Sequence, residues 1–433
     1  MAADEFIPCG LPLPDDLLAD MLRRLAPRFL AWSRCVCKAW RDLIDSRRLL
    51  RADLLPHSLA GILLNLNDDS DDYMFPPFFF RPSSATTAIS DNLADLNFSS
   101  WLVGHCNGLL LFPDHVLNPA TMQQARLPPC PLPPPLHLAM DFYHDNFLVF
   151  DPAVSPHYEV FLIPRVPRCR HQPMFNLESA EWPPSPFTLR VFSSKTKHWE
   201  ERSFARQGKP MGTLADVQSQ LQAATRFRFH YYSTYHHGRL YVQWSNDFVM
   251  RLDTSAGTYC IVAPPIAFDY HCRLQVWHLD ESRGQQPEWV LKCDNNMEPL
   301  LPCRTCYSEH IDGPWLLRSY NRYANYDSTV SGCHNDDDWS SDIENAPGSE
   351  YQVSCNGHTT RKSYYHQCIE TFLGFHPYKE AVFLHDALQR VFAYHFNSST
   401  IQYVGTLKLK SHVTINTSFS YTPCWLGEFP ENS

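Results

Sequence analysis

From about residue 58 onward the chain repeats one local pattern: a short strand, a polar turn carrying Asp, Asn, Ser or Thr, and a second strand. Copies begin near Val116 (VLNPATMQQARLPP), Phe147 (FLVFDPAVSPHYEVFLIP), Leu189 (LRVFSSKTKHWEERSF), Phe248 (FVMRLDTSAGTYCIVAPP), Leu274 (LQVWHLDESRGQQPEWVL) and Val391 (VFAYHFNSSTIQYVG). Two of them follow a similar turn and strand, Cys106-Asn107-Gly108-Leu109-Leu110-Leu111 and His236-His237-Gly238-Arg239-Leu240-Tyr241. Runs of four to eight residues bounded by Gly, Pro, Asn and Asp predict an all-β body. So many hairpins in one open sheet would leave long exposed edges, whereas radially arranged sheets do not. The irregular array therefore predicts a propeller-like domain over 56–430.

Within that body, Ser58–Leu66 (SLAGILLNL) reads as the first strand. Residues 67–91 open with Asp68, Asp69, Asp71 and Asp72, continue through Pro76 and Pro77, and read as a long loop or insertion. Residues 331–349, acidic around Asp336-Asp337-Asp338, read as a disordered insertion. Pro128–Pro135 (PPCPLPPP) predicts a polyproline-II stretch, either a rigid connector between hairpins or a ligand for an aromatic groove. Its place between two hairpins favours the connector.

Residues 10–55 have a different texture. Pro14 ends an extended segment, and Asp15 and Asp16 are placed to accept the free N–H groups of a first helical turn. Leu17, Leu18, Met21, Leu22 and Leu25 then recur at helical spacing until Pro27 breaks the pattern. Val36, Trp40, Leu43 and Ile44 repeat at i, i+4, i+7, i+8 and predict a later helix. About forty residues bury too little surface to stand alone, so such a unit needs a partner or a neighbour.

The order Leu13-Pro14-Asp15-Asp16-Leu17-Leu18, Leu22-Arg23-Arg24-Leu25, Cys35-Val36-Cys37-Lys38-Ala39-Trp40-Arg41, Leu43-Ile44 resembles an F-box, the segment by which a receptor docks on the Skp-type adaptor of a cullin ubiquitin ligase. Further along, Cys106-Asn107-Gly108-Leu109 with Asn118-Pro119-Ala120-Thr121, then Leu373-Gly374-Phe375-His376-Pro377 and Tyr421-Thr422-Pro423-Cys424-Trp425, are similar to plant F-box proteins with a propeller-like associated domain. The resemblance implies an α+β multidomain chain: a small helical F-box, then a mainly β, kelch-like irregular propeller of roughly six or seven blades at about 50 residues each. It implies a non-enzymatic substrate receptor that recruits a target protein for ubiquitination, with Leu13, Pro14, Leu17, Leu18, Leu22, Leu25, Val36, Trp40, Leu43 and Ile44 on the adaptor. Segments 67–91, 166–186, 205–226 and 331–349 are where target specificity is expected. The competing reading is a stand-alone propeller scaffold on which the helical segment is a structural cap.

Charge supports a protein partner. Residues 13–52 carry nine Lys/Arg against five Asp/Glu, so a chain of net charge −10 is more acidic still outside them. A basic module suits an acidic protein or nucleic acid, and the adaptors implied by the resemblance are acidic. An acidic body argues against nucleic-acid binding. No apolar run approaches the roughly 18 residues that would span a bilayer, and Met1–Phe6 lack the order of a secretory signal. Fifteen cysteines without a framework suit reduced thiols, so cytoplasm or nucleus is the expected compartment.

Catalytic motifs are missing: no phosphate loop, no G-x-G-x-x-G, no H-E-x-x-H and no G-x-S-x-G. The best metal candidate is Cys303-Arg304-Thr305-Cys306 with His310, but a single C-x-x-C without a second half at characteristic spacing reads as free thiols in a loop. No cofactor is expected. Trp199, Trp244, Trp277 and Trp289 fall inside the repeats and are expected to pack between blades rather than to stack on sugars.

Overall fold

A computed structural model of the chain describes residues 14–25, 30, 33–34, 36–47, 49, 58–67, 76–94, 101–131, 143–166, 179–223, 232–244, 248–263, 273–282, 287–301, 313–318, 369–409 and 413–425. Two short helices come first, α1 (Asp15–Arg23) and α2 (Lys38–Ser46). β1 (Gly61–Asn67), β2 (Phe78–Phe80) and helix α3 (Ser84–Ala94) follow. The strands β3 (Gly104–Cys106), β4 (Leu109–Leu111), β5 (His115–Asn118) and β6 (Gln123–Arg126) form an antiparallel meander. A second meander runs through β7 (Tyr143–Val149) and β8 (Glu159–Arg165), then past the short β9 (Glu181–Trp182) into β10 (Phe187–Ser193) and β11 (His198–Gln207). β9 pairs with β12 (Gly212–Thr213), which leads into α4 (Leu214–Ala223). The next meander comprises β13 (Ser233–His236), β14 (Arg239–Gln243), β15 (Val249–Asp253) and β16 (Thr258–Val262). After the pair β17 (Arg273–Asp280) and β18 (Glu288–Asn296) and the short β19 (Leu316–Arg318) comes a last meander. It consists of β20 (Ile369–Phe375), β21 (Ala381–Asp386), β22 (Arg390–His395) and β23 (Thr400–Thr406), and β24 (Thr414–Tyr421) ends the series.

Apart from the small β9–β12 pair, the described strands make six sheets in sequence around a propeller-like ring. The first has the order β24-β1-β2-β19, so strands from both ends of the β region share one sheet. The second is β3–β6, and the third is β7, β8, β10 and β11. The fourth, β13–β16, joins the third through a short parallel pairing of Ala205–Gln207 with Thr258–Cys260. The fifth is the β17–β18 pair and the sixth β20–β23. β24 neighbours β20 and β3, β3 neighbours β7, and β13 neighbours both β3 and β7, which puts the leading strand of each of these sheets at the centre.

Sheets buried on both faces explain the apolar runs. Strands covered on both sides need no polar alternation, and β4 (LLL), β2 (FFF) and β21 (AVFLHD) are buried at every position. In β1, Leu63 faces a core shared with the second sheet, while Ile62 and Leu64 face one shared with the sixth. The second and third sheets close over Leu109, Leu111, Phe150, Val160 and Phe192. The third and fourth close over Phe161, Val191, Leu240, Leu252 and Tyr259, and the fifth and sixth over Val276, Met297, Leu384 and Tyr394. Only the seam between the fourth and fifth is polar among those described. There Glu281 accepts hydrogen bonds from Arg239, from Arg251 (2.9 Å) and from Tyr241 (3.0 Å), and Trp289 Nε1 donates to the Ala263 carbonyl (2.8 Å). Burial opposes ionisation of Glu281, but the hydrogen bonds from Arg251 and Tyr241 and the two guanidinium charges hold its carboxyl below the usual range.

All six repeat copies are antiparallel hairpins: β5–β6, β7–β8, β10–β11, β15–β16, β17–β18 and β22–β23. Their shared Asp or Asn has a specific task. The side-chain oxygens of Asn118, Asp151, Asp253 and Asp280 accept the N–H of Ala120, Ala153, Ser255 and Ser282, so each locks its own turn. The Asn107-Gly108 and His237-Gly238 pairs both take positive φ, the geometry of a two-residue hairpin turn. Trp244 is buried in the seam between third and fourth sheets; Trp199, Trp277 and Trp289 are half-buried, and Trp199 donates its indole N–H to the Pro128 carbonyl.

Residues 67–91 are not one loop. Phe78-Phe79-Phe80 is buried on both faces as β2, because it fills the groove between β1 and the strand Leu316–Arg318. After it, Ser83 and Thr86 exchange hydrogen bonds between their hydroxyls and backbone N–H groups, which nucleates α3 and buries Ile89 and Leu93. The apolar triplet and the cap outweigh the acidic, proline-bearing start that suggests an insertion. The segment 331–349 and the part of the polyproline stretch from 132 to 135 lie outside the described residues.

The polar seam yields a prediction. Glu281→Ala leaves Arg251 half-buried without its carboxylate and Arg239 with only its longer contact to Asp253 (3.5 Å), which should cost about 2 kcal/mol. A thermal melt should show a lowered midpoint, and the Arg251→Met/Glu281→Met pair should recover much of the loss.

Candidate protein-docking site

The N-terminal helices fold around a small core of Ala19, Leu22, Leu30, Leu43, Ile44 and Leu49, with Leu18 and Trp40 half-buried against it. Arg47 Nη2 reaches Asp16 Oδ1 at 2.8 Å and ties the end of α2 to the start of α1. Pro14 occupies the N-cap of α1 without a side-chain cap hydrogen bond. Asp15 and Asp16 therefore act through their charge at the helix N-terminus rather than as the hydrogen-bonding caps their position suggests.

The structure divides the ten residues expected on the adaptor. Leu22, Leu43 and Ile44 are inside the module, with Ile44 fully buried, so their side chains hold the fold and offer no contact surface. Leu18 and Trp40 are half-buried against the module's core. Pro14, Leu17, Leu25 and Val36 are exposed, Leu17 at 56% and Val36 at 65%; Leu13 lies outside the described residues. Helix α2 begins at Lys38, so Val36 precedes it rather than belonging to its face. Met21, 58% exposed, completes a stripe with Leu17 and Leu25 at i, i+4, i+8. The apolar periodicity of α1 contains two stripes: one turned to the core, the other to solvent.

Two large apolar side chains in line on α1, with Leu25 just past its end, are not the scattered singles of an ordinary surface. Charges of both signs share the helix: Asp15, Asp16 and Asp20 on α1, Arg23 and Arg24 at its end, with Arg23 paired to Asp20 at 2.8 Å. The surface is thus an exposed apolar stripe bordered by charged side chains.

Among the described residues the other candidates do not assemble into a reactive or metal-binding group. Cys303, Cys306 and His310 lie outside the described residues, and among those described no group of three His, Cys, Asp or Glu could hold a metal ion. His236 ends β13 and His237 occupies the turn, their rings crossing at 3.9 Å. The buried Cys106 thiol gives a hydrogen bond to the Phe150 carbonyl, and burial pushes its pKa up to about 12, far from a reactive thiolate. Burial, helped by the charges of Lys379 and His395, lowers His376 to about 4. Burial also lowers His385 to about 4, against the opposing charge of Asp386. Both are neutral at physiological pH. No described helix is long and apolar enough to cross a membrane.

Comparison with known proteins decides what the helical module is. Residues 11–52 match the family model for the F-box domain. This chain carries an F-box. An F-box protein of Arabidopsis thaliana is 27% identical over 150 residues, 32% of this chain and 33% of that protein. An F-box/kelch-repeat protein of the same plant is 28% identical over 141 residues, 30% of this chain and 32% of that protein. The chain thus spans about a third of the length of these curated relatives. The F-box occupies the helical module, and a large β region follows it, as the resemblance implies.

The buried imidazoles set a pH response. Because their folded pKa values lie below the ordinary 6.5, their contribution is intact above about pH 6.5 and is lost as pH falls toward 4, where the unfolded chain binds protons that the folded one refuses. His385 alone should account for up to about 3 kcal/mol at the acid end. Melting temperature should fall steadily from pH 6.5 to 4.5, and His385→Leu should flatten part of that slope.

Proposed function

We propose that this chain is the substrate-receptor subunit of a Skp–cullin–F-box ubiquitin ligase. The F-box grips a Skp-type adaptor, and through it a cullin, while the ring holds a target protein. The observation that carries this reading is the exposed apolar stripe Leu17, Met21 and Leu25, together with exposed Val36 ahead of α2, on a matched F-box. Burying each such side chain contributes about 1.5–3 kcal/mol before the cost of association, so the set can support a stable complex. Leu18 and Trp40 extend the contact from its half-buried border. The net basic charge of residues 13–52 suits an acidic adaptor and speeds encounter.

The receptor itself performs no bond chemistry. It raises the effective concentration of a target near a ubiquitin-charged enzyme, and transfer follows from proximity. The segments that begin after β1, β8 and β11, and the one that precedes β20, are the proposed target-binding positions. The F-box/kelch-repeat relative supports the pairing of an adaptor grip with a β body in one chain. The proposed setting is cytoplasm or nucleus.

Purified chain and Skp-type adaptor should bind with sub-micromolar Kd. Leu17→Ala/Met21→Ala should weaken binding at least tenfold with an unchanged melting temperature, since both side chains are outside the core. Trp40→Ala should weaken binding and also lower the melting temperature. A well-folded wild-type chain that fails to bind would sink the proposal and leave a propeller scaffold with a helical cap.

A further inference from the structure

The F-box is joined to the ring at a second place far from the covalent linker. After β24 the chain continues through Thr422, Pro423 and Cys424 to Trp425. Asn118 Nδ2, at the turn of the second sheet, donates to the Cys424 carbonyl at 2.9 Å. Gly108, at φ 87°, lies directly against Cys424; a Cβ there would come within 2.5 Å of the cysteine Cβ. The tail is thus pinned to the second sheet before it reaches the F-box. Cys424 itself is buried in the core between second and third sheets.

Trp425 then touches two cores at once. Its ring packs against the F-box cluster of Ala19, Leu22, Leu30, Leu43, Ile44 and Leu49, and also against the cluster between the first and second sheets. Its carbonyl accepts a hydrogen bond from Arg34 Nη1 of the F-box at 2.7 Å. The other end of that guanidinium, Nη2, pairs with Asp45 Oδ2 of α2 at 2.7 Å, and the two side chains are only 10% and 18% exposed. A planar fork with donors pointing two ways can bridge a carboxylate and a carbonyl; an ammonium on a flexible stem cannot replace that geometry. Apolar wedge and charged clamp act on one residue.

From these contacts we infer that Trp425 and Arg34 are positioning residues that fix the direction in which the F-box points from the ring. This rests on the receptor reading for its consequence: a target held on the ring is presented to the ligase at one set distance and angle. It does not rest on it for its physics. Residues 414–421 close the ring and 422–425 dock the F-box, so one stretch of about a dozen residues links ring integrity to F-box orientation. The wedge lies on the core side of the module, leaving Leu17, Met21 and Leu25 free for the adaptor.

Hydrogen exchange on the full chain tests the clamp. In Trp425→Ala, amides of α1 and α2 should exchange at least tenfold faster while those of the third to sixth sheets change less than twofold. Arg34→Lys should give a smaller acceleration confined to the same helices, and Trp425→Phe should restore most of the protection. Adaptor Kd for Trp425→Ala should stay within threefold of wild type, and small-angle scattering of that complex should show a larger radius of gyration. Unchanged exchange in α1 and α2 would overturn the inference. So would faster exchange in all six sheets, which would make Trp425 a ring residue only, or loss of adaptor binding in Trp425→Ala, which would make it part of the F-box fold. If the wild-type chain does not bind the adaptor, the receptor reading falls while the exchange pattern still decides the clamp.

Discussion

The antiparallel pairing of β1 with β24 is the contact on which the rest depends. It joins Gly61–Asn67 to Thr414–Tyr421, so strands separated by almost the whole β region lie side by side in the first sheet. The first sheet buries one face against the second and the other against the sixth, so a gap at this point would expose two cores at once. Bringing the ends of so long a loop together costs only about 5 kcal/mol beyond a constant, because closure entropy grows with the logarithm of length. Burial of Ile62, Leu63, Leu64, Phe419 and Tyr421 at about 1.5–3 kcal/mol apiece exceeds that cost. The closing sheet takes its outer strand, β19, from the stretch between the fifth and sixth sheets, so three distant parts of the chain converge on it. Trp315, just before β19, packs on Phe79 and Phe383 and seals the same seam from outside.

Much of this was readable from local chemistry. Each hairpin copy declares itself by an apolar pair of strands around an Asp or Asn turn, and that side chain does lock the turn at Asn118, Asp151, Asp253 and Asp280. Partnering was not readable. Nothing in Leu316–Arg318 announces that it joins Phe78–Phe80, because a three-residue strand has no periodicity and its partner is more than two hundred residues away. The same limit hid β2 itself within an acidic, proline-bearing stretch. Arg34 was likewise silent: its role depends on a carbonyl 391 positions later.

The docking stripe shows how periodicity can mislead by being too generous. Leu17, Leu18, Met21, Leu22 and Leu25 fit one broad apolar face, and a helix lying on a large core would bury all of them. Helix α1 lies on a small core, and only Leu22 with Ala19 is covered fully. The surplus is the signal. A helix whose apolar arc is wider than the neighbour it packs on carries a second surface, and the module's size makes that surplus unavoidable. Leu22, Leu43 and Ile44, which the resemblance also places on the adaptor, are residues the module buries for its own stability.

Strand direction relates the two halves of the proposed function. Asn107, just past β3, donates to the carbonyl of Phe150, just past β7, and Gly108 meets Cys424, just past β24. The C-terminal ends of these inner strands therefore converge at one end of the ring, and Trp425 carries the F-box there. Antiparallel pairing sends β1 and β8 toward the other end, because each runs against an inner strand, β24 and β7 respectively. Two antiparallel steps beyond β8, β11 runs the same way as β8 and ends there too. The segments following β1, β8 and β11 thus depart from the end opposite the F-box. The arrangement follows from hairpin connectivity rather than from any loop sequence: in a ring of meanders whose chain closes beside its own start, whatever docks against the closing tail sits across the ring from those departing connections. A clamp at Trp425 is the economical way to hold that separation, since the wedge uses side chains that the ring and the F-box each already bury.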